Sequence, residues 1–303
     1  MQNSTIDAYK FREYQGETRK CYDFDGELCV YSKQSASEFH NLLNLIDIYI
    51  FGTKPYKKVL IDFTDTTRIT AIGALALFTF ITSVQLRTND HSIIKIILPK
   101  DEYIQKLFRK SGLWEAIKPG TERKLDKLRF TQNPFQSGYD PDVHLEPIIE
   151  QLEASLKKKF PLKLKEAINE SILNIVQHAY LKSETKTRWW HYAHISQDKT
   201  KLIFCIADRG MSIFKKFPDL QYLRQSIVIK YAMTKGNSST GLHYRGKGSK
   251  NIKKPVEIDA DDKLIIVSGN GVYKYFERDK EPEIYDLKSS FKGTILAWEF
   301  DLS

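Results

Sequence analysis

Residues 166–180 carry the clearest pattern of apolar and polar positions in the chain. Apolar side chains recur along one side of a helix that turns about 100° per residue, which predicts an amphipathic helix. Glu170, Asn174 and His178 are spaced four apart and fall within an arc of roughly 80° on its other side. The pattern thus presents a carboxylate, an amide and an imidazole along one ridge, an arrangement that the solvated face of a surface helix also produces.

The neighbouring segments predict a sheet beside this helix. Apolar runs of strand length alternate with turn formers, and another amphipathic helix precedes the first. We expect a mixed sheet with helices on one face. The predicted elements are a helix at 144–159, strands at 188–195 and 202–207, a hairpin of 264–267 and 272–276 turning at 269–271, and a last strand from 292.

Four short motifs follow one another between residues 170 and 294. They are Glu170-x-x-x-Asn174, Asp208-x-Gly210-x-Ser212-Ile213, Gly246-x-Gly248 and Gly293-Thr294. In this order they resemble the ATP-binding domain of the GHKL superfamily, which includes DNA gyrase B, Hsp90, sensor histidine kinases, MutL and the anti-sigma-factor kinases. The ending His178-Ala179-Tyr180 is most similar to the bacterial kinase and anti-sigma branch. Ser212 departs from the family pattern, which has a glycine there.

The resemblance implies that the cofactors are ATP and Mg²⁺. It makes Asn174 the metal ligand, and a neutral amide oxygen suits Mg²⁺ that also binds phosphate oxygens. Glu170, one turn earlier, is the catalytic candidate, placed to orient or deprotonate a water or a hydroxyl. Asp208 would accept a hydrogen bond from the exocyclic amine of adenine, and Thr294 would complete the polar network around that contact.

The remaining candidate residues complete the nucleotide site. The resemblance assigns them to nucleotide and phosphate binding, where glycines let backbone N–H groups approach an anion. They are His178, Gly210, Ser212, Arg245, Gly246, Lys247 and Gly248. The polar stretch 235–241 lacks apolar residues that could hold it in place. It predicts a lid over residues 211–248 that ATP orders more than ADP does.

The N-terminal half predicts a second α/β layer. Strand, helix, strand and helix follow one another at 58–63, 69–83, 93–98 and 101–111, which favours parallel pairing. Residues 20–117 resemble the STAS domain of anti-anti-sigma factors, with Thr70-Ala71-Ile72-Gly73 at the family's Asp-Ser-Ser-Gly turn. The phosphorylated serine of that family falls on Ala71 or Ile72, which lack a hydroxyl. Thr70 is the hydroxyl left for modification at this turn, but we expect it to serve in the core or as a helix cap instead. We expect this half to bind a protein partner.

The fold class predicted is therefore α/β, with an N-terminal STAS-like α/β domain followed by a C-terminal GHKL (Bergerat) α/β sandwich with a mixed sheet. The expected domains are 1–117 and 143–303. A linker at 118–142 joins them, and its part 131–141 is rich in turn formers and predicts a loop.

Composition adds limits on location and partners. The chain has 303 residues, a net charge of +9 and three cysteines without metal-ligand spacing, which favours a reduced, cytoplasmic setting without zinc or disulfides. The N-terminus lacks signal-peptide features, and no apolar run approaches the roughly eighteen residues that span a bilayer, so no membrane association is expected. The basic stretch 106–129 is read as solvated surface.

The predicted function is an ATP- and Mg²⁺-binding regulatory switch with slow ATP hydrolysis, whose N-terminal domain engages a protein partner. The sequence leaves open whether the enzyme is an ATPase or an ATP-dependent protein kinase. It also leaves open whether the protein forms a homodimer. One alternative is a serine/threonine kinase of the anti-sigma type. Another, resting on charge alone, is a basic nucleic-acid-binding protein without catalysis. A histidine kinase is disfavoured because no dimerisation helix with a His-Glu pair precedes residue 143.

Overall fold

The computed structural model describes residues 10–156, 160–181, 187–234, 248–259, 261–276 and 280–303. The protein is a mixed α/β protein. It divides into two compact units, Met1–Gln136 and Ser137–Ser303, and the division falls inside the range expected for the linker.

The N-terminal unit is built on a four-stranded sheet. Its strand order is β1-β2-β4-β6, in which β1 is antiparallel to β2 while β2, β4 and β6 are mutually parallel. The short strands β3 and β5 form a separate parallel pair. The elements are β1 Lys10–Tyr14, β2 Glu17–Asp23, β3 Glu27–Leu28, α1 Lys33–Phe51, β4 Val59–Asp62, β5 Arg68–Ile69, α2 Ala71–Thr88, β6 Ile94–Ile97, α3 Glu102–Lys110, α4 Leu113–Ile117 and α5 Glu122–Phe130.

Helix α2 is the apolar centre of this unit. Thr70 caps its N-terminus: the hydroxyl accepts a hydrogen bond from the Gly73 N–H and donates one to the Leu28 carbonyl, which confirms the predicted cap. The helix has 18 residues and is apolar enough to cross a membrane by length and composition, which corrects the expectation that no apolar run came near that length. In this structure 78% of its residues are buried. Such burial is also typical of a core helix.

The expected loop at 131–141 is wrong. A strand, β7, covers Phe135–Gly138, and helix α6 begins at Pro141. The turn formers lie at the strand's ends: Asn133 accepts the Phe135 N–H through its side chain, a turn that starts the strand. All four residues of β7 are buried, a feature that the polar sequence Phe-Gln-Ser-Gly does not reveal.

The C-terminal unit contains a five-stranded sheet in the order β10-β11-β9-β8-β7. The pairings β10–β11, β11–β9 and β9–β8 are all antiparallel. Its further elements are α6 Pro141–Leu156, α7 Leu164–Asn174, a π-helical turn Ile175–Ala179, β8 Trp189–Ile195, β9 Lys201–Asp208, α8 Gln225–Ala232, α9 Gly248–Lys253, β10 Lys263–Tyr275 and β11 Glu283–Asp301, with short 3₁₀ turns at Ile213–Lys216, Pro218–Leu220 and Lys254–Glu257.

The expected hairpin at 264–276 is also wrong. Strand β10 runs through Gly269–Gly271, and its partner is β11. The register between β10 and β11 shifts at Gly269 and again before Gly271. Gly269 has a φ of +59°, a conformation that interrupts the regular strand. Gln225 holds the irregularity by accepting the Asn270 N–H at 3.0 Å. A glycine pair thus bends a long strand here, whereas the sequence pattern suggested a turn.

The core of this unit lies between its helices and one face of the sheet. Alternate residues of the strands, such as Phe204, Ile206 and Trp298, share one apolar cluster with residues of α6, α7, α8 and α9. Ile168 and Ile172 of α7 are fully buried in it. The polar side of α7 therefore faces away from the core, which leaves its side chains available for a site.

Candidate functional site

The α-helix that carries the first motif is shorter than expected. Helix α7 ends at Asn174 and continues into the π turn Ile175–Ala179. Glu170 and Asn174 keep their α-helical spacing, and the Asn174 amide nitrogen lies 3.5 Å from Glu170 Oε1. His178 lies in the π turn, where the spacing of side chains changes, so the single ridge of three residues extends only to Asn174. Single π turns inside helices are frequent at functional sites.

Gly248 lies directly against Glu170. A Cβ on Gly248, the first residue of α9, would lie 2.1 Å from Glu170 Oε1. Only a residue without a side chain fits while the carboxylate keeps this position. The end of the predicted lid and the candidate catalytic residue are therefore neighbours.

Asp208 is a buried carboxyl group at the end of β9. It is 3% exposed and accepts the Gly210 N–H at 2.8 Å and a second backbone N–H from Thr294. Burial raises the pKa of Asp208 to about 7, although both N–H donors and the charges of Arg209 and Lys216 act to lower it. The group therefore changes protonation near neutral pH.

The end of the π turn is bonded to the turn after Asp208. The Ala179 carbonyl accepts the Met211 N–H at 2.6 Å, and a Cβ on Gly210 would lie 2.0 Å from that same carbonyl oxygen. The Tyr180 hydroxyl accepts the Arg209 N–H at 3.2 Å and donates to the Arg188 carbonyl at 2.6 Å. Gly210 is thus required for this close approach, which brings the first two motifs together.

A hydroxyl pair lies beside Asp208 on β10 and β11. Thr294 Oγ1 is 2.8 Å from Ser268 Oγ, which also accepts the Ile213 N–H at 2.8 Å. Gly293 has a φ of +106°, and a Cβ there would lie 2.1 Å from the Asp208 carbonyl oxygen. Backbone contacts thus connect the second and the last motif.

The structure brings most predicted site residues together in two groups. Asp208, Gly210, Ser212 and Thr294 form one, and Glu170, Asn174 and Gly248 form the other. Ala179, which follows Asn174 in the π turn, contacts Gly210 and Met211 of the first group. Three predicted phosphate-binding residues, Arg245, Gly246 and Lys247, lie outside the described residues, as does the lid stretch 235–241.

Two residues of this region were given no role from the sequence, although Tyr180 belongs to the quoted ending His178-Ala179-Tyr180. Ser268 is fully buried in the interior of a strand, and Tyr180 acts through its hydroxyl. A buried serine within an apolar strand is the one signal that could have pointed to Ser268, since a buried hydroxyl requires a partner. For Tyr180 the sequence offers no such signal, because its partners lie on other segments.

One cluster in the N-terminal unit has the residue types of a metal site. Ligand atoms of Cys21, Asp23 and Asp62 lie within 4.8 Å of one another. The guanidinium of Arg12 contacts both carboxylates, and burial raises the pKa of the Cys21 thiol to about 12. The Arg12 guanidinium therefore already balances the negative charge of Asp23 and Asp62 that a metal ion would neutralise.

No protein-family model matches the chain, and no curated protein matches it either.

Proposed function

We propose that the C-terminal unit is a GHKL-type domain that binds ATP with Mg²⁺, and that the chain works as an ATP-driven regulatory switch. The observation that supports this most is the surroundings of Asp208. A buried carboxyl group held by two backbone N–H donors is oriented as a hydrogen-bond acceptor, and an exocyclic amine is a donor that it can select. Guanine offers a carbonyl at the corresponding position, so the arrangement favours adenine.

The donor set near α7 suits the metal and the phosphates. Asn174 supplies a neutral amide oxygen, and Mg²⁺ bound by few protein ligands takes its other ligands from phosphates and water. When bound, the ion would neutralise charge on the phosphates. Glu170 is partly buried within reach of Asn174, so it can orient a water or hydroxyl there and accept its proton.

The N-terminal unit is proposed to be a STAS-like partner-binding module. Its parallel strands β2, β4 and β6, with α1 and α2 between them in the chain, support this interpretation. The Thr70 hydroxyl is used for the cap of α2. The N-terminal unit is therefore proposed to be regulated by nucleotide binding to the C-terminal unit and not by phosphorylation at this turn.

Titration calorimetry of ATP and ADP with Mg²⁺ tests the nucleotide site. Asp208→Asn should weaken binding because an amide can present a donor where adenine needs an acceptor, and Asn174→Ala should remove the metal ligand. Asp198→Asn, in an exposed turn, and Gln177→Ala, on the π turn, are the matched controls. If both site variants bind ATP as tightly as the parent, the site assignment is wrong.

Turnover tests the role of Glu170. Glu170→Ala should retain ATP and stall phosphate release, whereas Glu166→Ala, an exposed glutamate one turn earlier that pairs with Lys163, should behave as the parent. Phosphate appearing on a protein hydroxyl would favour the kinase alternative over hydrolysis. Equal turnover in both variants removes Glu170 from the mechanism, and no turnover in the parent favours a switch that only binds.

A further inference from the structure

Basic and aromatic side chains interleave on the N-terminal unit, where α1 ends and the chain leads to β4. The sequence there is Tyr49-Ile50-Phe51-Gly52-Thr53-Lys54-Pro55-Tyr56-Lys57. The fold adds Lys20 from β2 and Arg87 from the last turn of α2. We call Lys20, Tyr49, Phe51, Lys54, Tyr56, Lys57 and Arg87 the lysine–tyrosine surface. It lies outside the basic stretch 106–129.

Two ammonium groups share one ring of this surface. The Lys20 and Lys57 nitrogens lie 4.4 Å and 5.1 Å from the centre of the Tyr49 ring. Tyr22 packs edge-on against that ring at 6.3 Å and fixes its orientation. Burial and the charge of Lys57 lower the pKa of Lys20. The charge of Lys57 thus acts on Lys20, so an anion bound near both groups would be favoured.

A stacked guanidinium forms the second part of the surface. Arg87 Cζ lies 3.8 Å from the centre of the Phe51 ring, and Tyr56 packs against Phe51 at 5.4 Å. The Arg87 side chain is 45% exposed. The guanidinium thus lies against the ring while part of the Arg87 side chain stays exposed, and a planar base can stack on such an exposed guanidinium. Because Tyr56 and Lys57 are adjacent, this part is continuous with the Tyr49 ring.

Positive charge is in excess here. The surface contains four basic side chains and no acidic one. Among the described residues, the nearby carboxylate of Glu17 already contacts Lys58 and Arg19, and that of Asp47 lies 3.6 Å from Arg87. A partner that brings its own negative charges would therefore complement the surface.

We propose that the lysine–tyrosine surface binds single-stranded nucleic acid. Lys20, Lys54 and Lys57 would contact successive phosphates, and Arg87 would stack on an exposed base. Cations together with flat stacking groups are the combination by which proteins hold single strands. A duplex keeps its bases stacked inside, and an acidic protein segment has no planar base for Arg87. The chain's net charge of +9 would add to the attraction.

Fluorescence anisotropy with a labelled single strand of mixed sequence tests the proposal on the full-length protein. Affinity is measured between about 50 and 200 mM salt, where it should fall steeply. Lys54→Gln with Lys57→Gln should reduce the slope of log affinity against log salt by about 1.4, since each phosphate contact in a single strand contributes about 0.7. Lys110→Gln with Lys127→Gln, which removes the same charge from the stretch 106–129, should leave the slope unchanged.

A second variant separates stacking from charge. Arg87→Lys keeps the charge but loses the plane, so affinity should fall about five-fold or more with the salt slope unchanged. The proposal is overturned if the parent does not bind the strand, if both double variants weaken binding equally, or if a duplex binds as tightly. Displacement of the strand by polyglutamate at equal charge concentration would overturn it in favour of an acidic protein partner. Asp208→Asn should bind the strand as the parent does, which separates this result from nucleotide binding.

Discussion

In the proposed nucleotide site, Asp208 would link adenine recognition to pH. The ionised carboxylate, which is the stronger acceptor for the exocyclic amine, forms as the pH rises through its pKa of about 7. Adenosine, which carries no phosphate that titrates near neutrality, should therefore lose affinity below pH 7, by up to about ten-fold per pH unit. The affinity of Asp208→Asn should be weak and independent of pH. A flat profile in the parent between about pH 5.5 and 8 would contradict this role.

The same shift affects stability with the opposite sign. The folded-state pKa of Asp208 lies above the ordinary value of 3.8. The protonated carboxyl therefore contributes stability that is complete below about pH 4 and is lost as the pH rises through 7. Without nucleotide, the unfolding free energy of the parent should fall relative to that of Asp208→Asn across this range.

Tyr180 positions the turn that follows Asp208. Its hydroxyl bridges the Arg209 N–H and the Arg188 carbonyl, so Tyr180→Phe leaves both groups without this partner. We expect a loss of about 1–3 kcal/mol in unfolding free energy and a weaker affinity for adenosine. Tyr273→Phe, which alters a buried tyrosine of β10, is the control. If the two variants lose stability alike and neither loses affinity, Tyr180 has only a structural role.

Elements with strong periodicity were predictable from the sequence. The patterns of β4, α2, β6, α6, β8 and β9 indicated each element near its observed bounds, because burial on one face leaves a periodic trace. The failures share a cause. The turn-forming residues at 131–141 predicted a loop, but a side-chain contact of Asn133 begins a strand there. Those at 269–271 predicted a hairpin turn, but the segment pairs with β11 as an irregular part of one strand. The π turn after Asn174 likewise leaves no mark in the sequence.

The local geometry of the candidate site was predictable where its residues are close together in the chain. The spacing of Glu170 and Asn174 follows from one helix, and the turn after Asp208 from a strand followed by glycine. Contacts that depend on distant segments, those of Ser268 and of the Tyr180 hydroxyl, could not be predicted, because hydrogen bonds between different segments have no sequence period.

The contact between the last strand and the turn after Asp208 depends on glycine. Gly293→Ala should destabilise strongly, because a left-handed φ and a backbone atom 2.1 Å from the new Cβ act together. Gly16→Ala is the matched control, since Gly16 has a φ of +76° with nothing within 4 Å of a Cβ. Chemical unfolding should show about 1 kcal/mol for Gly16→Ala and clearly more for Gly293→Ala. If Gly293→Ala and Gly16→Ala lose the same unfolding free energy, β11 must shift to make room for the new methyl group at position 293.

At the scale of the whole molecule, each unit has its own sheet and buried core, so we expect two unfolding transitions in calorimetry. Leu75→Ala, which opens a cavity in α2, should lower the transition of the N-terminal unit, and Gly293→Ala that of the other. These variants assign the two transitions without any ligand.

ATP with Mg²⁺ should then raise only the transition that Gly293→Ala lowers. A ligand at a hundred times its dissociation constant stabilises the folded state by about 2.7 kcal/mol, which for a unit of this size corresponds to about 5–10 °C. Asp208→Asn should remove most of the shift, whereas the exposed change Asp198→Asn should keep it. A shift confined to the Leu75→Ala-sensitive transition would place the nucleotide in the N-terminal unit and contradict the proposed site. A single transition would show that the units unfold together and would contradict the expectation of two independent cores.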